Sequence, residues 1–251
     1  MLFGPEDLDF DLPAPLPLPW QRTYASDFAQ VGWLGQGWST PLSLQIQRVA
    51  DGLVLVDEQG RRIPLPEPRV GEPYHSRFEQ FVFAATEEGG FEIYPEGGDV
   101  HLRFGALGLT EDADATTRSQ AALHVLTHLV DANGNAVQVV YGSLPPELRQ
   151  PGAFAAEDAA ALILPQGLID SAGRHLRFDF APLGSADEPR LPGHPRGARL
   201  VRVVQLTAPA ERGAAAQPLP QPRELVSYAY SEAGDLIEVR NVLGQTTRQF
   251  A

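Results

Sequence analysis

The chain has no cysteine and no lysine. Without cysteine there is no disulfide framework, no thiolate zinc site and no cysteine nucleophile, and the composition carries no mark of a redox compartment. All 19 basic residues are arginine, with no basic block, against 32 acids and a formal net charge of -13. That balance argues against a nucleic-acid partner. No stretch reaches the ~18 consecutive apolar residues that span a membrane, so no membrane span is expected. The opening "MLFGPEDLDFDLPAPLPLPW" has acids and prolines where a signal peptide has a basic start and an unbroken apolar run, so no conventional secretion signal is expected. Missing too are a G-x-S-x-G elbow, a P-loop and a phosphate-cradling G-x-G-x-x-G. With so many acids some facing pair of carboxylates is inevitable, and no pair stands out as glycosidase machinery. The chain is therefore expected to be neither an enzyme nor a cofactor binder.

What is present is a globular composition of 251 residues, 43% of them hydrophobic, enough for a substantial core. From residue 12, "LPAPLPLPW" places prolines at alternate positions, which excludes helix and central strand and predicts an extended or edge-strand lead-in. One device then recurs: a β-prone run, an Asp, Asn or Ser, two variable residues, a glycine, and a second β-prone run. It occurs at Asp57 to Gly60, Asp131 to Gly134, Asp170 to Gly173, Ser231 to Gly234 and Asn241 to Gly244. The first residue starts a turn by bonding nearby backbone and the glycine supplies the positive φ that closes it, so each copy predicts a hairpin tip. The flanks alternate, as in Val137, Val139 and Tyr141 against Ala136, Gln138 and Val140, which predicts strands with one buried face. Residues 145 to 161, 182 to 198 and 208 to 223, rich in proline, alanine and glycine, are expected to be insertions or loops, with a short helix over "AAEDAAAL".

Three groups invite a chemical reading. "GWLGQGW", with Gly32, Trp33, Gly35, Gly37 and Trp38, suits a tight structural corner, the rival being a sugar-stacking platform that needs exposed indoles. "LHVLTHLV" spaces His124 and His128 so that they could share one strand or helix face, but without the Glu of a zinc-protease motif. Polar strand histidines are the expectation, and no metal is assigned. Asp7, Asp9 and Asp11 copy the odd-position carboxylates of a calcium loop, yet Leu12 and Leu18 stand where Gly and Glu are required. A solvated acidic lead-in is expected there.

Taken in order, "PLPLPWQRTYAS" with Trp20, Arg22 and Tyr24, then "GWLGQGWSTPL", "LVLVDEQGRRIPLP" and the Y.Y...GDL..V.N..G of Tyr228, Tyr230, Gly234, Asn241 and Gly244, resemble Rhs-family proteins. The likeness is to the segment that opens the Rhs core and the first tyrosine-aspartate (YD) repeats, and covers nearly all of the chain. The resemblance implies an all-β fold of antiparallel YD hairpins forming part of a large curled sheet, a segment of a cocoon-like shell. It further implies a bacterial polymorphic toxin, often a type VI secretion effector, whose shell surrounds a C-terminal toxin domain. The family's aspartate-containing self-cleavage motif and variable toxin are not among these residues. The expected organisation is a lead-in over 1–20, a core-opening β segment over 21–120, and YD-like hairpins with proline-rich insertions over 121–251.

The implied role is structural, walling off a toxin until delivery. Implied partners are the remainder of the shell and its toxin domain, with a secretion-spike protein or chaperone as a further candidate. Synthesis in the bacterial cytoplasm and export by a specialised system follow from the same resemblance. Because the chain stops at "TTRQFA" in a repeat-like strand, it is expected to be a fragment with an unpaired edge. The competing expectation is a β module that binds glycans or a secretion component through exposed Trp20, Trp33 and Trp38.

Overall fold

The computed structural model describes residues 7–28, 30–109, 112–143, 163–185, 188, 193–194, 197–210 and 214–250. Its first strands are β1 (Asp7–Leu12), β2 (Leu18–Tyr24), β3 (Val31–Gly32), β4 (Gly35–Gln36) and β5 (Trp38–Ser39). A three-stranded branch follows: β6 (Gln45–Val49), β7 (Gly52–Val56) and β8 (Arg62–Leu65). A long meander then runs through β9 (Tyr74–Ser76), β10 (Phe81–Ala85), β11 (Phe91–Pro95), β12 (Val100–Ala106), β13 (Leu123–Asp131) and β14 (Ala136–Ser143). It continues through β15 (Ile163–Ile169), β16 (His175–Pro182), β17 (Ala198–Thr207), β18 (Pro218–Tyr230), β19 (Leu236–Asn241) and β20 (Thr246–Gln249). Helix α1 (Ala115–Ser119) is one short turn capped by the Asp114 carboxylate, which accepts from the Thr117 N–H. The fold is all-β and antiparallel, an open sheet in which β9 to β20 lie side by side in chain order.

Strand β13 is the branch point. Its first half, Leu123 to Val125, pairs with β6, and its second half, His128 to Val130, pairs with β14 along the same edge. On the other edge β12 pairs along its length, with one irregularity that leaves Thr127 without an opposite residue. Such a bulge reverses the side-chain alternation. His124 therefore lies opposite Ala106 and His128 opposite Arg103, on different faces of the sheet. The expectation that the two imidazoles could share a strand face is corrected by this bulge. His124 is fully buried against the Phe91 ring and its Nε2 lies 2.9 Å from the Arg118 carbonyl; burial lowers its pKa.

Most buried apolar residues of the meander fall on one face, which is covered twice. Over β14 to β19 the cover is the N-terminal segment, and Leu200, Val203 and Val226 are fully buried beneath it. Over β10 to β13 the cover is the β6–β8 branch, which buries Ile46 and Leu53 against Phe83, Phe91 and Leu126. Each such large apolar side chain contributes about 1.5–3 kcal/mol on burial.

All five hairpin tips have one geometry. In the Asp170 turn, Gly173 N–H donates to the Asp170 carbonyl at 2.9 Å, and the Asp170 N–H donates to the Arg174 carbonyl at 3.0 Å. Asp170 Oδ1 then accepts from the N–H of Ala172 and of Arg174. Asp57, Asp131, Ser231 and Asn241 repeat the pattern, and Gly60, Gly134, Gly173, Gly234 and Gly244 all have φ between +70° and +83°. A sixth copy, Thr86 to Gly89, uses threonine in the first position. One expectation changes. The loop expected over 208–223 ends at β18, whose Pro218 lies opposite Thr207, because irregular register lets a proline-rich stretch run as strand. The short helix over 155–162 lies outside the described residues. The expected division at residue 20 falls inside β2, and the one at 120 separates β12 from its partner β13.

The turns differ in burial, which sets a test. Asp170 is fully buried and its Oδ2 meets Arg174 Nε at 2.6 Å, while Arg174 Nη2 donates to the Pro13 carbonyl. Asp170→Ala is expected to cost about 3–5 kcal/mol because it strands a buried guanidinium. Asp131→Ala at an exposed tip should lower the urea midpoint far less, and equal losses would show that the turn alone, not the buried pair, sets the cost.

Candidate functional site

The N-terminal segment is held by an alternation written into its sequence. Leu12, Leu16, Leu18, Trp20 and Arg22 are buried, while Pro13, Pro15, Pro17 and Pro19 are exposed. Strand geometry points successive side chains to opposite faces, so the leucines enter the core and the prolines line a surface where no N–H is needed. The Trp20 ring lies parallel to Phe10 at 5.8 Å and tilts against Phe178 at 5.3 Å.

At the centre of this contact is a buried polar junction. Arg22 Nε donates to both oxygens of Asp9 at 2.9 and 2.8 Å, and each side chain is only 1% exposed. The Tyr228 hydroxyl donates to Asp9 Oδ2 at 2.6 Å and accepts from Trp20 Nε1 at 2.9 Å. The Arg22 guanidinium also lies over the Trp38 ring at 5.2 Å and the Phe250 ring at 5.9 Å. Burial, helped by the Asp9 charge, holds the Tyr228 pKa well above the ordinary tyrosine value, so the hydroxyl remains a donor. Burying an ion pair is costly unless its hydrogen bonds are completed, and Tyr228 on β18 helps complete them. The acidic lead-in is thus not uniformly solvated as expected: Asp11 is exposed, but Asp9 is the anion of a buried pair.

"GWLGQGW" folds as a miniature hairpin. Val31 pairs with Gln36 and Gly32 with Gly35, whose φ of +101° no ordinary side chain adopts readily. A Cβ on Gly32 would stand 2.6 Å from the Trp38 carbonyl, and one on Gly37 2.7 Å from the Tyr24 ring. The Trp33 carbonyl accepts from the Leu200 N–H at 2.8 Å, and its indole stacks on His194 with centroids 3.6 Å apart. Trp38 packs between Tyr24 and Phe250, each at 5.0 Å. Trp20, Trp33 and Trp38 are all buried, at 1%, 3% and 8% exposure. The exposed tryptophan platform is therefore overturned: these indoles are spent on the core.

A second buried pair locks the far side. Arg199 Nη2 meets Glu188 Oε2 at 2.6 Å, and Arg199 Nε donates to the Gly234 carbonyl at 2.9 Å. Tyr230 Oη donates to the Leu200 carbonyl at 2.6 Å. Thus Trp20, Arg22, Trp38 and Tyr228 meet at the Asp9 junction, while Gly35, Trp33, Tyr230 and Gly234 gather around Arg199 and Leu200 on the far side. Asp57, Gly60, Asp131, Gly134, Asp170, Gly173, Asn241 and Gly244 stay at separate hairpin tips. Sequence reasoning missed Asp9, Glu188, Arg199 and Phe250. None had a usable signal: the two-residue spacing of Asp9 from exposed Asp11 points it outward, and an irregularity of register between Leu8 and Phe10 turns it inward. Among the described residues no three His, Asp or Glu side chains are grouped to hold a metal, and no helix is long and apolar enough to cross a membrane.

Comparison with known proteins adds identity to this geometry. A family model described as a domain of unknown function, DUF6531, matches residues 3–65. The toxin protein Tse5 of Pseudomonas aeruginosa is 30% identical over 257 residues, covering 98% of this chain. The double-stranded DNA deaminase toxin A of Burkholderia cenocepacia is 29% identical over 97 residues, 39% of this chain. The matched regions span only 18% and 7% of those two relatives. Among solved structures, the N-terminal domain of effector protein SpvB from Salmonella typhimurium shares the fold. Its TM-score is 0.54 at 14% identity, over 93% of this chain and 98% of that one.

The junction makes a graded prediction. Asp9→Asn leaves Arg22 buried without its anion and is expected to cost about 3–5 kcal/mol in urea unfolding. Tyr228→Phe removes one hydrogen-bonding hydroxyl and should cost about 1–3 kcal/mol. The reverse order of losses would mean that the ion pair is not the anchor.

Proposed function

The chain belongs to the Rhs/YD-repeat family of polymorphic toxins, and from that premise we propose that it forms the opening part of a shell wall enclosing a toxin domain for delivery to a competing cell. The observation that carries this reading is the open meander. Strands β9 to β20 add one after another in chain order, and among the described residues β20 has a neighbour on one side only, with all four side chains exposed. A sheet built this way accepts further hairpins on its free edge without rearrangement, as stacked repeats do. The N-terminal segment closes one face over β14 to β19, tied to β18 through the buried Asp9–Arg22 pair and Tyr228.

On this reading the chain contributes no catalytic step and holds no cofactor. Its work is mechanical: a hydrogen-bonded wall that keeps an attached toxin away from the producing cell's contents. Its partners are the rest of the wall and the toxin domain, with a secretion spike or a chaperone meeting its outer surface. Export by a specialised, type VI-like apparatus follows from the same proposal.

Hydrogen–deuterium exchange tests the wall directly. Peptides covering β20 are expected to exchange rapidly in the 251-residue chain and to gain protection in the complete toxin polypeptide, where a further hairpin pairs with that edge. Equal exchange in both would overturn the proposal that the sheet continues.

A further inference from the structure

The face of the meander opposite the N-terminal segment carries a different chemistry. In register across the sheet it presents Glu92, Arg103, His128, Gln138, Ile169 and His175, and alongside them Arg177, Asp179 and Arg202. Over β14 to β17 this face sinks into an open hollow of about 800 Å³. Val140, Pro165, Ile169 and Leu206 give it apolar walls, and Gly167 leaves bare backbone between them. A side chain at 167 is excluded, since its Cβ would stand 2.0 Å from the Leu176 carbonyl.

The charges in the hollow run against the rest of the molecule. Arg177 and Arg202 converge on one carboxylate: Arg177 Nε meets Asp179 Oδ1 at 2.7 Å and Arg202 Nε meets Asp179 Oδ2 at 2.5 Å. Glu224, outside the lining, lies 3.9 Å from Arg202. Both guanidiniums stay nearly half exposed, at 46% and 48%. Two arginines against one aspartate leave the lining with one net positive charge, in a chain whose net charge is -13. Half-exposed guanidiniums offer further donors in a planar fork suited to carboxylates.

We propose that this hollow docks an extended stretch of the remaining toxin polypeptide, apolar along its length and bearing an acidic residue that pairs with Arg177 and Arg202. The occupant is a peptide and not a small carboxylate because the open lining follows residues 164–169 of β15 and 175–180 of β16, a length that matches an extended chain of about six residues. The proposal rests on the shell reading, since it takes the occupant from the same larger polypeptide; the long relatives, of which the matched region is under a fifth, supply that length. It assigns the open face to the cargo side of the wall and the N-terminal cover to the other.

The cysteine-free sequence makes the test clean. His175→Cys in the hollow and Ser227→Cys on the same face outside its lining are each labelled with a maleimide and read by peptide mass spectrometry. Labelling is compared between the 251-residue chain and the complete polypeptide. The expected result is labelling at position 175 slowed about tenfold or more in the complete polypeptide, as for a tethered ligand at high effective concentration, with position 227 slowed less. Adding R177E and R202E should restore labelling at 175. Equal slowing at both positions would mean enclosure without docking, overturning this proposal while leaving the shell reading intact. No slowing at either would overturn docking, and protection that survives the double charge reversal would overturn the acidic occupant.

Discussion

The buried pairing of Asp9 with Arg22 is the constraint on which the rest of the structure depends. Two charges withdrawn from water cost several kcal/mol each unless their partners are in place. The partners here come from opposite ends of the chain, because the hydroxyl that completes the carboxylate belongs to Tyr228, 219 residues away. Trp20, Trp38 and Phe250 then wall the pair off from solvent. The N-terminal segment consequently seats correctly only when β18 is formed, and the apolar face under it stays dry only when that segment is seated. Long-range closure of this kind makes the open sheet behave as one unit despite its local, hairpin-by-hairpin construction.

The sheet itself shows how one strand can organise two covers. The bulge at Thr127 changes the facing of β13 midway, and the strand serves β6 with its first half and β14 with its second. The β6–β8 branch can therefore fold over one end of the apolar face while the N-terminal segment takes the other. What remains open is the polar face, crossed by Arg–Asp and Arg–Glu pairs that cost little to solvate. The sheet thus has a dry, sealed side and a wet, charged side.

Much of this was legible in the residues. The turn chemistry of Asp170 to Gly173 and its four relatives predicted hairpins, because the side-chain acceptor and positive-φ glycine are local requirements. The Thr86 turn escaped because threonine stands where the pattern has Asp, Asn or Ser. Alternation in "LPAPLPLPW" showed an extended path, but period two tells which residues share a face and not what covers them. That is why the three tryptophans could be read as a platform until their burial was seen. His124 and His128 were misplaced for a different reason: a bulge is a tertiary adjustment and leaves no reliable mark in spacing. Asp9 looked like its exposed neighbour Asp11 until Arg22 and Tyr228 were brought to it, and no local pattern pairs Glu188 with Arg199.

The most direct test of this account is a double-mutant cycle on Asp9→Asn and Tyr228→Phe, measured by equilibrium urea unfolding of the single and double variants. The account predicts a coupling energy of about 1–3 kcal/mol between these positions, because each group completes the other's burial. Losses that simply add, within about 0.5 kcal/mol, would contradict the claim that one buried junction ties the two ends of the chain together.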